Sequence, residues 1–89
     1  MKAVITVIGK DRVGIIAAIS AILAENNVNI LDISQTIMQD IFTMIMIVNI
    51  SQTNTNFHEL SEKLEKKGQE LDLSIKIQHV DLFNSMHRI

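Results

Sequence analysis

The stretch ILDISQTIMQDIFTMIMIVNI, running from Ile30 to Ile50, decides the fold. In its first half Leu31, Ile33 and Ile37 alternate with Asp32, Ser34 and Thr36, the period of two that sends successive side chains to opposite faces of a sheet. Ile30 to Gln39 is therefore expected to be a half-buried strand. In the second half Phe42, Met44, Met46, Val48 and Ile50 interleave with Ile41, Ile45 and Ile47, so both faces are apolar and Ile41 to Ile50 belongs in the middle of a sheet. Gln39-Asp40 supplies the tight reversal between the two strands.

Upstream of this hairpin, Lys2 to Ile8 is rich in β-branched residues and stops at Gly9, which suits a first strand. From Gly14 to Glu25, Ile15, Ile16, Ile19, Ile22 and Leu23 recur at three- and four-residue spacings among alanines, the pattern of a helix. Only Ser20 and Glu25 are polar in that span, so the helix is expected to be covered on more than one side. Asp11 or a neighbour is placed to cap its first amides. Asn26-Asn27-Val28-Asn29 carries turn chemistry. Downstream of the hairpin, Asn56 with Glu59 three residues later resembles a capping box. Phe57, Leu60, Leu64 and Leu71 form the single apolar stripe of the helix it opens. Its wet side offers Glu59 to Lys63, Glu62 to Lys66 and Lys66 to Glu70 at i,i+4, and Gly68 weakens its end. Leu73 to Val80 alternates again and is a fourth strand. The order βαββαβ predicts an α+β, ferredoxin-like sandwich, a four-stranded antiparallel sheet with two helices on one face.

At 89 residues and 10.0 kDa the chain is expected to be one domain over 1–89, with 81–89 as a C-terminal tail. It has no cysteine, and a small chain without staples usually gains its stability margin from partners, so a homodimer or higher homo-oligomer is expected. The second strand falls at an edge of such a sheet and can pair with its symmetry mate. In the tail, Leu82, Phe83 and Met86 have helical spacing and suit either an interaction element or packing on the chain's own sheet. The net charge of −2 and aromatic content of 3%, without Tyr or Trp, leave neither a basic footprint nor stacking platforms, so nucleic-acid binding is not expected. The apolar run Val13 to Ala24 is too short to span a bilayer and the first nine residues make a poor signal peptide; no membrane role and a cytoplasmic location are expected.

The fold admits several chemistries, and the residues argue against most of them. An acylphosphatase-type site needs a phosphate-cradling arginine with a partnered asparagine, and the chain's arginines are Arg12 and Arg88. A heavy-metal-binding variant needs cysteines, and an RNA-recognition variant needs aromatics on the central strands, where Phe42 stands alone. His58, His79 and His87, even with Asp81 near His79, read as surface residues, so no metal and no cofactor is expected. No nucleophile elbow accompanies the serines, and no enzyme activity is expected. Met38, Met44 and Met46 read as core filling.

The stretch Val7-Ile8-Gly9-Lys10-Asp11-Arg12-Val13-Gly14-Ile15, then the apolar helix, then Asn29-Ile30, resembles the ACT domain, a small-molecule-binding regulatory module of amino-acid metabolism. In that family an Asp or Asn lies three residues before a glycine in the first loop, matched by Asp11 and Gly14, and the second strand begins at an Asn-Ile pair, matched by Asn29 and Ile30. The resemblance covers residues 2 to about 80. Many members have proline where Val13 stands. The chain looks most like single-domain bacterial members similar to the glycine-cleavage-system repressor. The resemblance implies a non-enzymatic regulatory domain that binds an amino acid and acts in trans, with Asp11, Arg12, Val13, Gly14, Ile15, Asn29 and Ile30 as ligand-binding residues. Orphan amides at the helix start suit a carboxylate, Asp11 suits an ammonium group, and Asn29 offers donor and acceptor. The alternative is a ligand-free dimerisation module that docks to an unidentified protein partner.

Overall fold

The computed structural model describes residues 1–81; the tail features expected from Leu82 onward, with His87 and Arg88, lie outside them. The elements are β1 (Lys2–Lys10), α1 (Ile15–Glu25), β2 (Asn29–Met38), β3 (Ile41–Asn49), α2 (Phe57–Leu71) and β4 (Leu73–His79). The strands form one sheet in the order β2-β3-β1-β4, and every neighbouring pair is antiparallel. This is the expected ferredoxin-like sandwich, with β3 inside the sheet as its two apolar faces require.

Register follows the pleat. Ile5 faces Met46 on one side and Ile77 on the other, and Val7 likewise faces Met44 and Ile75, so one buried row crosses three strands beneath the helices. Ile15, Ile19 and Leu23 of α1 and Leu60 and Leu64 of α2 close over it. The methionines at 44 and 46 are fully buried core residues, whereas Met38 is exposed near the end of the hairpin.

Several local expectations need correction. Strand β1 runs through Gly9 to Lys10 because both residues still pair with β3, opposite Phe42 and Ile41. Gly9 serves close packing there, since a Cβ on it would lie 2.4 Å from Leu73 Cδ2. Gly68 is likewise a packing residue, buried where α2 meets the start of β4. On α2, Asn56 Oδ1 accepts from the Glu59 amide at 2.8 Å as expected, but the Glu59 carboxylate takes the Thr55 hydroxyl at 2.6 Å. The i,i+4 ladder gives way to other partners: Lys63 Nζ donates to Asn26 Oδ1 at 2.8 Å, and Lys67 pairs with Glu70 at 3.0 Å. The hydrogen bond from the Lys67 ammonium, then its charge, holds the Glu70 carboxyl below its ordinary range.

The largest correction concerns β2. Every residue from Leu31 to Met38 is exposed, because α1 covers the helix side of this edge strand only as far as Ile30. A bulge at Leu31 shifts the register between Ile30, opposite Val48, and Asp32, opposite Ile47. Beyond it, Ile33, Gln35 and Ile37 face the helix side, and Asp32, Ser34, Thr36 and Met38 the open side.

Candidate functional site

The loop from Asp11 to Gly14 leaves β1 and enters α1 beside the turn of the β2–β3 hairpin. The Asp11 amide donates to the Asp40 carbonyl at 2.8 Å, which ties the loop to that turn. Arg12 Nη1 reaches the Leu71 carbonyl at 3.5 Å, so its guanidinium lies at the C-terminal end of α2, where a cation is favoured. Val13 is fully exposed. Gly14 is the N-cap of α1 with φ of +94°, in the left-handed region that glycine tolerates, and no side chain caps the helix. The expected cap from Asp11 is therefore not made, which leaves that carboxylate available to a ligand.

The first helical hydrogen bond runs from the Ala18 amide to the Gly14 carbonyl. The amides of Ile15, Ile16 and Ala17 precede it and point out of the helix start. Space above Gly14 is open, for a Cβ placed there would meet no atom within 4 Å. A groove of about 300 Å³ begins at this point, lined by Asp11, Arg12, Gly14, Ile15, Ile16, Ala17, Gln35, Ile37 and Phe42. Its mouth carries a carboxylate and outward-pointing amides, and its floor is apolar.

Of the residues expected to bind ligand, Asp11, Arg12, Gly14 and Ile15 line this groove, and Val13 sits in the same loop. Asn29 and Ile30 do not reach it within one chain. Asn29 faces Asn49 at the opposite end of the sheet, eight residues along β2 from Ile37 and so roughly 27 Å away. Gln35, Ile37 and Phe42 were missed as lining residues. The signal was present in the alternation, for Gln35 is a polar residue in the register of Ile33 and Ile37.

Among the described residues no cluster of three or more histidine, cysteine or carboxylate side chains could hold a metal ion. No described helix is long and apolar enough to cross a membrane.

A ferredoxin-like sandwich with a polar-mouthed groove at its first loop defines the class of small α+β binding domains. Residues 2–78 match the ACT domain family, and the chain belongs to that family of regulatory, small-molecule-binding domains. A UPF0237 protein of Clostridium acetobutylicum is 58% identical to it over 89 residues, 100% of both chains. Among solved structures, an ACT domain protein from Streptococcus pneumoniae superposes with a TM-score of 0.81 at 44% identity, covering 93% of each chain. A candidate glycine cleavage system transcriptional repressor superposes with a TM-score of 0.76 at 26% identity; the match covers 86% of this chain but only 44% of that one.

Proposed function

We propose that this protein is a non-catalytic sensor of a small ligand, an amino acid, and that it acts in trans on another protein in the cytoplasm as a homo-oligomer of a single-domain chain. The observation that carries the reading is the groove between Gly14 and Ile37. There the outward amides of Ile15 to Ala17 suit a carboxylate, Asp11 suits an ammonium group, and Ile15, Ile37 and Phe42 suit an apolar side chain.

A second copy completes the site. Residues opposite one another in an antiparallel pair share a face, so pairing of two β2 edges about a two-fold through Ile33 keeps the pleat in phase and brings Asn29 of the partner subunit level with Ile37. Ile37 lines the groove. The exposed, apolar-rich edge from Leu31 to Met38 supports this pairing, since such an edge in a lone chain templates association. A ligand held by Asp11 of one copy and Asn29 of the other stabilises the pair, because both contacts exist only in the assembled state.

The test is a thermal-shift screen of the free amino acids followed by calorimetry. A charge-assisted contact contributes roughly 1.5–3 kcal/mol, so Asp11→Ala and Asn29→Ala each weaken binding at least about tenfold. Since Asp11 does not cap α1, Asp11→Ala leaves the helix intact. Unchanged affinity in both variants places the site elsewhere. No binding of any amino acid by the natural chain leaves the ligand-free interaction module as the function.

A further inference from the structure

We propose that Gln35 selects the ligand of the groove by its side chain. The site takes a neutral amino acid that carries a hydroxyl or carboxamide group, and it discriminates against apolar amino acids of the same shape. This selection rests on the groove being an amino-acid site, as proposed above.

Gln35 stands out by its surroundings. It pairs with Met44 on β3, and residues opposite one another share a face, so its side chain lies on the helix side of the sheet. On that side its neighbours along β2 are Ile33 and Ile37, and on the adjoining strand they are the buried core residues Phe42 and Met44. A single carboxamide therefore interrupts an apolar row. Packing within the chain does not explain it, because α1 covers this side of β2 only as far as Ile30 and Gln35 is exposed. Nor does protection of the sheet edge, which works through charge: strands shielded from unwanted pairing carry lysine or another ionised residue, and glutamine is neutral. Among the described residues the Gln35 side chain makes no hydrogen bond, which leaves both the donors and the acceptor of its carboxamide to a ligand.

Depth in the groove supplies the role. Ile37 stands level with Phe42 and Gly9, at the end of the sheet from which the first loop leaves. Gln35 stands level with Met44 and Val7, two residues or roughly 7 Å further in. The groove joins the two levels, since Gln35 and Ile37 line it together with Asp11 and Gly14. An amino acid held at the mouth by its ammonium and carboxylate groups sends its side chain inward, between the first turn of α1 and β2. Ile15, Ile16, Ala17 and Ile37 offer only apolar surface there, and among the described lining residues Gln35 is the one polar side chain besides Asp11 and Arg12 of the loop. Arg12 is directed to the Leu71 carbonyl. A hydroxyl or carboxamide both donates to and accepts from the Gln35 carboxamide, whereas an apolar side chain fills the groove and leaves that group without a partner. An ionised side chain would lose water at this depth and meet no opposite charge, which disfavours acidic and basic amino acids. Position 35 lies outside the stretches Asp11 to Gly14 and Asn29-Ile30 through which the chain resembles its family.

The test is calorimetry of the full chain with three pairs of near-isosteric ligands: serine against 2-aminobutyrate, threonine against valine, and asparagine against leucine. The natural chain is expected to bind the polar member of at least one pair about three- to tenfold more tightly, the range for one neutral hydrogen bond. Gln35→Leu removes that preference without weakening the apolar member. Gln35→Glu keeps the length and an acceptor, and so retains the preference. Circular dichroism establishes that both variants are folded, as expected for an exposed position. The proposal is overturned if the natural chain binds the apolar members as tightly as the polar ones, or if folded Gln35→Leu keeps the preference; amino-acid binding itself stands in either case. Failure of all six ligands while an amino acid with a charged or larger apolar side chain binds overturns the selection alone. Failure of every free amino acid overturns the reading of the groove and the selection with it.

Discussion

Gly68→Ala sets two known effects against each other at one atom. In an exposed helix interior this substitution stabilises by about 1 kcal/mol, because glycine loses more backbone freedom on folding than alanine. At position 68 the new Cβ would lie 2.7 Å from the Leu73 carbonyl oxygen, and ordinary contact begins at 3.4 Å, so α2 and β4 must separate by about 0.7 Å. The obstacle is backbone and cannot rotate away. Nor can Leu73 retreat easily: it is paired with Gly9, and its Cδ2 already occupies the space a side chain on Gly9 would take. Overpacking of a dense core costs roughly 1–3 kcal/mol, and a backbone obstacle belongs at the upper end. The net expectation is a loss of about 2 kcal/mol, which for a domain of this size lowers Tm by roughly 8–16 °C. Urea unfolding followed by circular dichroism reads it directly, with Glu65→Gly at an exposed site of the same helix as the control, expected to cost about 1 kcal/mol. A Gly68→Ala protein as stable as the natural one, beside a normal control, would refute the close approach of α2 to β4. The consequence reaches the groove, since the Leu71 carbonyl that receives Arg12 lies three residues further along the same helix.

Two further substitutions test how the site is held. Gly14→Ala meets no steric obstacle yet must hold φ near +94°, so it should cost about 1–2 kcal/mol in urea unfolding, and Gly14→Asn less, because asparagine tolerates that region better. Asn26, 3% exposed, donates from its side chain to the Ile22 carbonyl at 2.7 Å and accepts from Lys63; Asn26→Ala removes both bonds, although the Ile22 carbonyl keeps the backbone amide of residue 26 at 3.1 Å, and should cost about 1–2 kcal/mol, measured in the same way.

What the sequence made legible was periodicity. The two apolar registers of Ile41 to Ile50 place β3 inside the sheet, and the Asn56 cap is local chemistry contained within four residues. What was not legible depends on objects outside the local window. Alternation in Ile30 to Met38 reports which side of the strand is apolar; it cannot report that α1 stops short of that side. The bulge at Leu31 involves no glycine or proline and leaves no mark in composition. Asp11 has the chemistry of a helix cap, but the positive φ of Gly14 brings the chain into α1 with a bare N-cap. The choice of Asn26 by Lys63, over Glu59 on its own helix, is a tertiary contact that helical spacing does not encode.

The same pleat that was easy to read explains how one short strand serves three surfaces. Beyond the bulge, β2 divides its side chains by parity: Ile33, Gln35 and Ile37 face the groove, Asp32, Ser34 and Thr36 face the open side, and the backbone itself forms the outer edge. Adjacent residues therefore belong to different surfaces, although their Cα atoms are only about 3.8 Å apart. The bulge fixes this division, because one extra residue at Leu31 reverses the parity of everything after it relative to Ile30. Without it, Ile33 and Ile37 would join the open face and Asp32 would point toward the helices, next to Ile30, where a carboxylate would stand against the apolar layer. Looping out Leu31 in the bulge thus keeps the charge of Asp32 on the sheet's open side and the side chain of Gln35 in the groove. The exposure of β2 in the single chain follows from this division: each of its surfaces is shaped for something other than the core of its own subunit.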